Sequence, residues 1–331
     1  MKEIASMTVP PVLSERLRLP AVASPMFIVS RPELVIAQCK AGIVGSFPSL
    51  NARPQAQFKE WLVRIEEELA KHDADNPEQP AAPYAVNLIV HKSNDRLEED
   101  LATVVEHKVP IVITSLGARP DVNEAVHSYG GIVLHDIIND VFAHKAVERG
   151  ADGLIAVAAG AGGHAGPQSP FALVQEIRAW FDGPLLLSGS IAHGRSILAA
   201  QAAGADLAYI GSAFIATDEA NAVPAYKQMI VDSAAADIVY SNLFTGVHGN
   251  YLRGSITAAG MDPDNLAQSD PSAMDFGTGE SDPATPGAKP WKDIWGSGQG
   301  IGAIDAVVPA AAVVDRLTRE YAEAKARLLS L

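Results

Sequence analysis

One histidine stands in a run of small residues, Ala158-Ala159-Gly160-Ala161-Gly162-Gly163-His164-Ala165-Gly166. An imidazole titrates close to neutral pH, so it can take or give a proton without much tuning. The four glycines and four alanines around it leave a side-chain-poor backbone that a flat or bulky ligand could approach closely. The run follows an apolar stretch at 153–158 and precedes a helical pattern from about Gln168, so it lies where a strand hands over to a helix. Such a loop needs one or two glycines. The surplus makes His164 a candidate catalytic group, although a lone histidine is more often structural.

Two further turns could hold an anion. Ser188-Gly189-Ser190 ends one apolar run and Gly211-Ser212, within IGSAFIAT, ends the next. Tight turns use glycine anyway, but two in consecutive strand-to-helix loops are where barrels present backbone N–H groups to a phosphate. The chain has 331 residues and a net charge of 25 − 39 = −14, with no Lys/Arg cluster. That balance argues against a nucleic-acid or anionic-membrane surface. A phosphate would therefore rest on neutral donors, the hydroxyls of Ser188, Ser190 and Ser212 among them.

Other chemistries find less support. His135 and Asp136 are adjacent on a predicted strand and His144 follows on a helix, but neighbouring strand residues face opposite ways, so no metal chelate is expected. Neither GxSxG nor GxxxxGK[ST] occurs, and Gly298-Gln299-Gly300-Ile301-Gly302 reads as a turn. Tyr240, His248, Asn250 and Tyr251 could form a polar lid or simply satisfy a loop's own backbone. The single Cys39 falls in an apolar helical pattern, which predicts a buried, inert thiol and suits a reducing cytoplasm. The N-terminus has no signal-peptide pattern and no apolar run is long enough for a membrane span.

These residues must be positioned by a scaffold that alternates strand and helix. Apolar runs at 20–27, 43–47, 84–90, 110–116, 131–137, 153–158, 184–188 and 207–210 read as strands, with helical patterns at 31–41, 54–72, 94–107, 120–129, 140–149, 168–181 and 195–203 between them. Near-continuous apolar strands are expected when both faces of a parallel sheet are covered. Eight such units favour an α/β fold closed as a TIM (β/α)8 barrel over a doubly wound open sheet. Small or polar residues gather at the strand ends, from Ser24 to Phe27, at Asn87 and Asp136, from Gly160 to His164, and at Ser188 and Gly211. A barrel would bring these ends to one mouth. The expected organisation is a barrel over 1–235, a lid or substrate excursion over 236–305 that includes the Asp-, Pro- and Ser-rich stretch 262–290, and a C-terminal helix within 306–331.

The segments GAGGHAGPQSPFALVQEIR, PLLLSGSIAHGRSILAAQAAGADLAYIGSAFIAT and IWGSGQGIG resemble the nitronate monooxygenase (2-nitropropane dioxygenase-like) family of FMN-dependent TIM-barrel oxidoreductases. The flavin-dependent enoyl-acyl carrier protein reductases are similar over the same motifs. The resemblance implies that FMN phosphate sits on Ser188-Gly189-Ser190 and Gly211-Ser212. It places the isoalloxazine against the backbone of Pro25-Met26-Phe27 with Asn87 and Gly163 nearby, and makes His164 a catalytic base facing flavin and substrate. Many members carry lysine where this chain has Asp136, and a carboxylate there could bond a flavin N–H or merely satisfy the entrance of the fifth helix, but could not stabilise a reduced, anionic flavin. The implied activity is oxidation of small nitronates or nitroalkanes by oxygen. The alternative is NAD(P)H-dependent reduction of a quinone or enoyl thioester. A small-molecule substrate and oxygen are the expected partners, no nucleic acid or membrane is expected, and a homodimer is the possible assembly.

Overall fold

The computed structural model describes residues 9–269 and 291–330. Its strands follow the apolar runs: β1 (Ala21–Ala23), β2 (Gly45–Pro48), β3 (Tyr84–Ile89), β4 (Ile111–Ser115), β5 (Ile132–Ile137), β6 (Gly153–Val157), the two-residue β7 (Gly163–His164), β8 (Leu185–Ser188) and β9 (Leu207–Ile210). All except β7 pair in parallel in the order β1-β9-β8-β6-β5-β4-β3-β2. A parallel bridge between Val22 and Val44 joins the two ends of that ladder. Across this seam the Ala23 N–H donates to Val44 O at 2.8 Å and the Val44 N–H to Ala21 O at 3.3 Å. The sheet is therefore closed, a (β/α)8 barrel rather than an open sheet.

Alternation along each strand fixes what fills the barrel. Val22, Ala85, Ile113, Leu134, Ile155, Leu186 and Leu207 belong to one buried cluster, which Leu13 joins from the N-terminal segment. Two residues further along the same inward rows come Ser24, Asn87, Ser115, Asp136, Val157, Ser188 and Tyr209. Six of these seven are polar. The dry interior ends at this level, and the carboxyl ends of the strands carry a polar rim, the position that serves chemistry in this architecture.

The helices α1 (Pro32–Lys40), α2 (Ala56–Asp75), α3 (Leu97–Glu106), α4 (Pro120–His127), α5 (Asp140–Glu148), α6 (Pro170–Arg178), α7 (Gly194–Ala203) and α8 (Pro224–Asp232) form the outer layer. Four of them begin on proline, which lacks the N–H that a first turn leaves unpaired. The first strand ends at Ala23, short of the predicted 27, because Pro25 cannot donate to a ladder and the following backbone turns through Ile28 at φ +66°. Cys39 is fully buried and its thiol is pushed up to about 12 by desolvation, which keeps it unreactive.

Beyond the barrel, β10 (Ile238–Ser241) and β11 (Gly249–Leu252) form an antiparallel sheet with β7, followed by the short α9 (Arg253–Ala258). Most of the stretch 262–290 lies outside the described residues, so its predicted course over the mouth does too. The chain returns through 291–303 and ends in α10 (Ala310–Leu329). This helix starts later than residue 306 because Pro309 caps it and Val308 bridges to Thr217.

Helix α10 buries Val313, Val314 and Leu317 and docks on α7. Glu320 anchors the contact by accepting from the Gly194 N–H at 2.8 Å and from Arg316 at 2.9 Å. A Cβ on Gly194 would lie 2.2 Å from Tyr321 N and 2.5 Å from Leu317 O, backbone atoms that cannot swing aside. Gly194→Ala should therefore lower unfolding stability by about 3 kcal/mol, the upper range for overpacking, and open α10 to proteolysis. An unchanged melting temperature would contradict this docking.

Candidate active site

A cavity of about 1020 Å³ opens at the carboxyl ends of the strands. Its lining contains every predicted site residue: Pro25, Met26, Phe27, Asn87, Asp136, Gly163, His164, Ser188, Gly189, Ser190, Gly211 and Ser212. Residues spread over 188 positions of sequence converge because a closed barrel has one such end.

The backbone of His164 is part of β7, paired with Gly249 of β11. The next residue is held from both sides, as the Ala165 N–H donates to His248 O at 3.1 Å and the Tyr240 hydroxyl donates to Ala165 O at 3.0 Å. The imidazole meets the edge of Trp291 at 5.4 Å between centroids and lies 3.0 Å from Thr245 Oγ1 through Nε2. The Thr245 hydroxyl also lies 3.1 Å from Val247 O, so the threonine links the imidazole to the loop backbone. The ring reaches the cavity surface yet is walled by protein, and desolvation pushes its pKa down to about 4. At neutral pH it is uncharged.

The glycines around it line the cavity and also permit close packing behind it. A Cβ on Gly160 would meet Ser190 Oγ at 2.2 Å, one on Gly162 would meet Gly298 N at 2.8 Å, and one on Gly298 would meet Gly160 O at 2.7 Å. The surplus lets three backbone segments pack directly on one another. The sequence Gly298-Gln299-Gly300-Ile301-Gly302 supplies one of them, largely as a short 3-10 helix at Gln299–Ala303.

The two serine-glycine turns reach the cavity from β8 and β9. Gly189 has φ +139° and Ser190 +57°, and a Cβ on Gly189 would lie 2.8 Å from Ala159 O, so the first turn requires glycine. The Ser190 N–H is committed to Gly160 O at 3.2 Å, while Ser212 Oγ accepts from the Gly298 N–H at 2.9 Å and keeps its own proton to donate. Across the mouth, the Met26 N–H donates to Ser30 Oγ at 3.0 Å and Met26 O accepts from Asn51 Nδ2 at 3.0 Å. A ligand lying on Pro25-Met26-Phe27 would thus meet a backbone whose central peptide groups are already paired, a contact made by van der Waals packing.

Asp136 faces the barrel interior and His135 the helices, as strand alternation requires. His135 Nδ1 lies 2.6 Å from Thr114 Oγ1, and its burial lowers its pKa to about 4. Asp136 accepts from the Ser115 hydroxyl at 2.6 Å, which in turn accepts from Asn87 Nδ2 at 2.8 Å. Although the carboxyl borders the cavity, protein surrounds it, and desolvation outweighs the Ser115 bond to raise its pKa to about 6. Among the described lining residues it is the only carboxylate, and among the described residues no group of three or more His, Cys, Asp or Glu could hold a metal ion.

Sequence reasoning missed Thr245, Ser115, Trp291 and Tyr209. Tyr209 lies near enough to Ser24 and Asp136 for both to affect its titration, and burial raises its pKa. Of the four predicted lid residues, Tyr240 and His248 line the cavity and stack at 5.0 Å. The other two turn inward, with Asn250 Nδ2 donating to Ala161 O at 2.6 Å and Tyr251 fully buried against Phe244 and Trp291.

A carboxyl whose folded pKa exceeds its unfolded value stabilises the fold while protonated and loses that contribution as pH rises through the folded value. In the apoprotein, Asp136→Asn should therefore be more stable than wild type above pH 6, by on the order of 2–3 kcal/mol at pH 8 for a shift of about two units. The advantage should fade as pH falls from 6 to 4 and the Asp136 carboxyl takes up its proton, while the histidines are common to the two proteins and cancel. Urea unfolding across this range checks it, and a pH-independent difference would exclude the assigned burial.

Comparison with known proteins agrees with this geometry. A family model described as nitronate monooxygenase matches residues 13–320. A nitronate monooxygenase from Paraburkholderia phytofirmans is 27% identical over 285 residues, which cover 74% of this chain and 76% of that protein. Two solved structures share the fold: nitroalkane oxidase from Streptomyces ansochromogenes, at TM-score 0.76 and 23% identity over 96% of this chain and 99% of that one, and FabK from Thermotoga maritima, at TM-score 0.74 and 22% identity over 98% and 99%. Among the described residues no helix is long and apolar enough to cross a membrane. The chain is a flavin-type oxidoreductase with a TIM-barrel fold, and it belongs to the nitronate monooxygenase family.

Proposed function

We propose that this protein oxidises small nitronates and nitroalkanes with molecular oxygen, using FMN held at the barrel mouth. The observation that carries the reading is a neutral imidazole, His164, fixed by β7 and Thr245 at the wall of a large cavity whose opposite features are two serine-glycine turns. The residues present fit the cofactor. Gly189 and Ser190 adopt the left-handed conformations that only a dedicated turn retains, Ser212 keeps a hydroxyl proton for a phosphate oxygen, and the Met26 segment offers a paired, flat backbone. FMN, when bound, supplies the electron transfer between substrate and oxygen, and the protein supplies position and electrostatics.

His164 acts on the substrate in one of two ways. Uncharged, it can take the α-proton of a neutral nitroalkane, but the desolvation that lowers its pKa to about 4 makes it a weak base. A nitronate arrives already deprotonated and needs only to be placed, so nitronates should be the better substrates. Asp136, anionic above pH 6, disfavours extra negative charge at the cavity floor and so supports oxygen as electron acceptor over a hydride-accepting reductase. The cavity volume favours the second reading, reduction of a quinone or enoyl thioester by NAD(P)H, because about 1020 Å³ is at the top of the range for ligand sites and leaves room for a larger substrate. Anaerobic mixing with NADH or NADPH separates the two readings through fast bleaching of the flavin.

His164→Asn should retain FMN and lower turnover of neutral nitroalkane by about 10²-fold or more, with a smaller loss for the preformed nitronate. Thr245→Val should lower nitroalkane turnover less severely, and Thr245→Ser should restore it. Steady-state oxygen consumption with both substrate forms measures this. Equal turnover by wild type and His164→Asn would remove the imidazole from the mechanism.

A further inference from the structure

The cavity does not stop at the mouth. It extends along α5, where Ile138, Phe142, Lys145 and Arg149 line it together with Ala118 of the turn after β4. Phe142, Lys145 and Arg149 recur at helical spacing along α5 and its C-cap, a rise of about 10 Å, and Ile138 adjoins them from the turn before the helix, so this stripe of the lining passes from apolar to basic. The stripe begins beside the catalytic loop, since a Cβ on Gly166 would come 3.0 Å from Ile138 Cβ. Its apolar part is unusually open, with Ile138 37% and Phe142 45% exposed. At its far end the Arg149 Nη1 donates to Ala118 O at 2.6 Å, which pins the guanidinium across the groove, and the Lys145 ammonium lies 5.6 Å from the Phe142 ring centroid.

The charge pattern is as informative as the shape. In a chain of net charge −14, Lys145 and Arg149 stand on a cavity lining whose described residues include a single carboxylate, Asp136 at the floor. The serine-glycine turns belong to β8 and β9, whereas this groove lies beside β4 and β5, with β6 between. It is thus a second place for an anion, separate from the turns assigned to the FMN phosphate.

We propose that this groove binds an anionic tail of the substrate: an apolar spacer lies on Ile138 and Phe142, and a carboxylate or phosphate at its end meets Lys145 and Arg149. The inference rests on the reading of the mouth as the reaction site, and it makes the preferred substrate longer than a simple nitroalkane. Both cations are exposed, so the attraction weakens with ionic strength.

The test compares holoenzyme with the Lys145→Glu/Arg149→Glu variant, whose substitutions lie on an exposed helix face. The ligands are ω-nitrooctanoate, its methyl ester and nitroethane. Equilibrium dialysis under anaerobic conditions should show binding of ω-nitrooctanoate weakened at least about tenfold by the double substitution, while the ester and nitroethane bind as before. Competition by octyl phosphate but not octanoate assigns a phosphate tail, and the reverse assigns a carboxylate. Equal binding of acid and ester by wild type, or a double variant that changes all three ligands alike, overturns the proposal. So does a shift in oligomeric state, which would make the stripe a subunit contact. Because dialysis reads binding without turnover, failure to oxidise any nitro compound would refute the proposed activity and leave this result standing.

Discussion

Closure of the parallel ladder is the constraint from which the rest follows. Once Val22 and Val44 bridge the two ends, each strand has one row of side chains in a space that water does not enter, and that row must be apolar wherever it is enclosed. Polar groups are affordable only where the enclosure ends. The switch from Leu134 to Asp136, from Ile113 to Ser115 and from Ala85 to Asn87 occurs at that level on three neighbouring strands, and it builds the linked Asn87–Ser115–Asp136 bonds at the cavity floor. The same enclosure raises the pKa of Asp136, while burial under the excursion beyond the barrel lowers that of His164.

A second layer of structure turns a mouth into a site. The loop after β6 would be free to wander if it were only a strand-to-helix connection. Instead it is stitched into a small antiparallel sheet by β11, packed backbone to backbone against 297–300, and pinned by Asn250 to Ala161 O. His164 is therefore carried by strand geometry, not by a mobile loop, and its imidazole meets Thr245 from the same excursion. Preorganisation of this kind positions a reacting group before substrate arrives.

Much of this was legible in the sequence because the relevant signals are local. Eight apolar runs, the glycine-bearing turns at 188–190 and 211–212, and the polar residues ending the strands all announce themselves within a few positions. The barrel layer of the site follows from them. The remainder depends on contacts between distant segments: β7 is two residues long, too short for any periodicity, and pairs with residues some 85 positions away. Thr245 is one hydroxyl in a polar loop until that pairing brings it to His164. The glycine surplus reads as a surface open to a ligand, and the structure adds close packing whose partners, Ser190 and Gly298, nothing near Gly160 could indicate. Asn250 and Tyr251 look like Tyr240 and His248 in sequence, yet the first two are buried against Ala161, Phe244 and Trp291 and the last two line the cavity, a distinction made only by contacts with distant segments.

The central claim, that the turns after β8 and β9 hold the phosphate of a flavin at the barrel mouth, is tested most directly by titrating apoprotein with FMN and with riboflavin while following visible absorbance. The account predicts tight, stoichiometric binding of FMN and binding of riboflavin weaker by about 10²-fold or more, a difference of roughly 3 kcal/mol that Gly189→Ala abolishes. Equal affinity for the two flavins, or none for either, would contradict it.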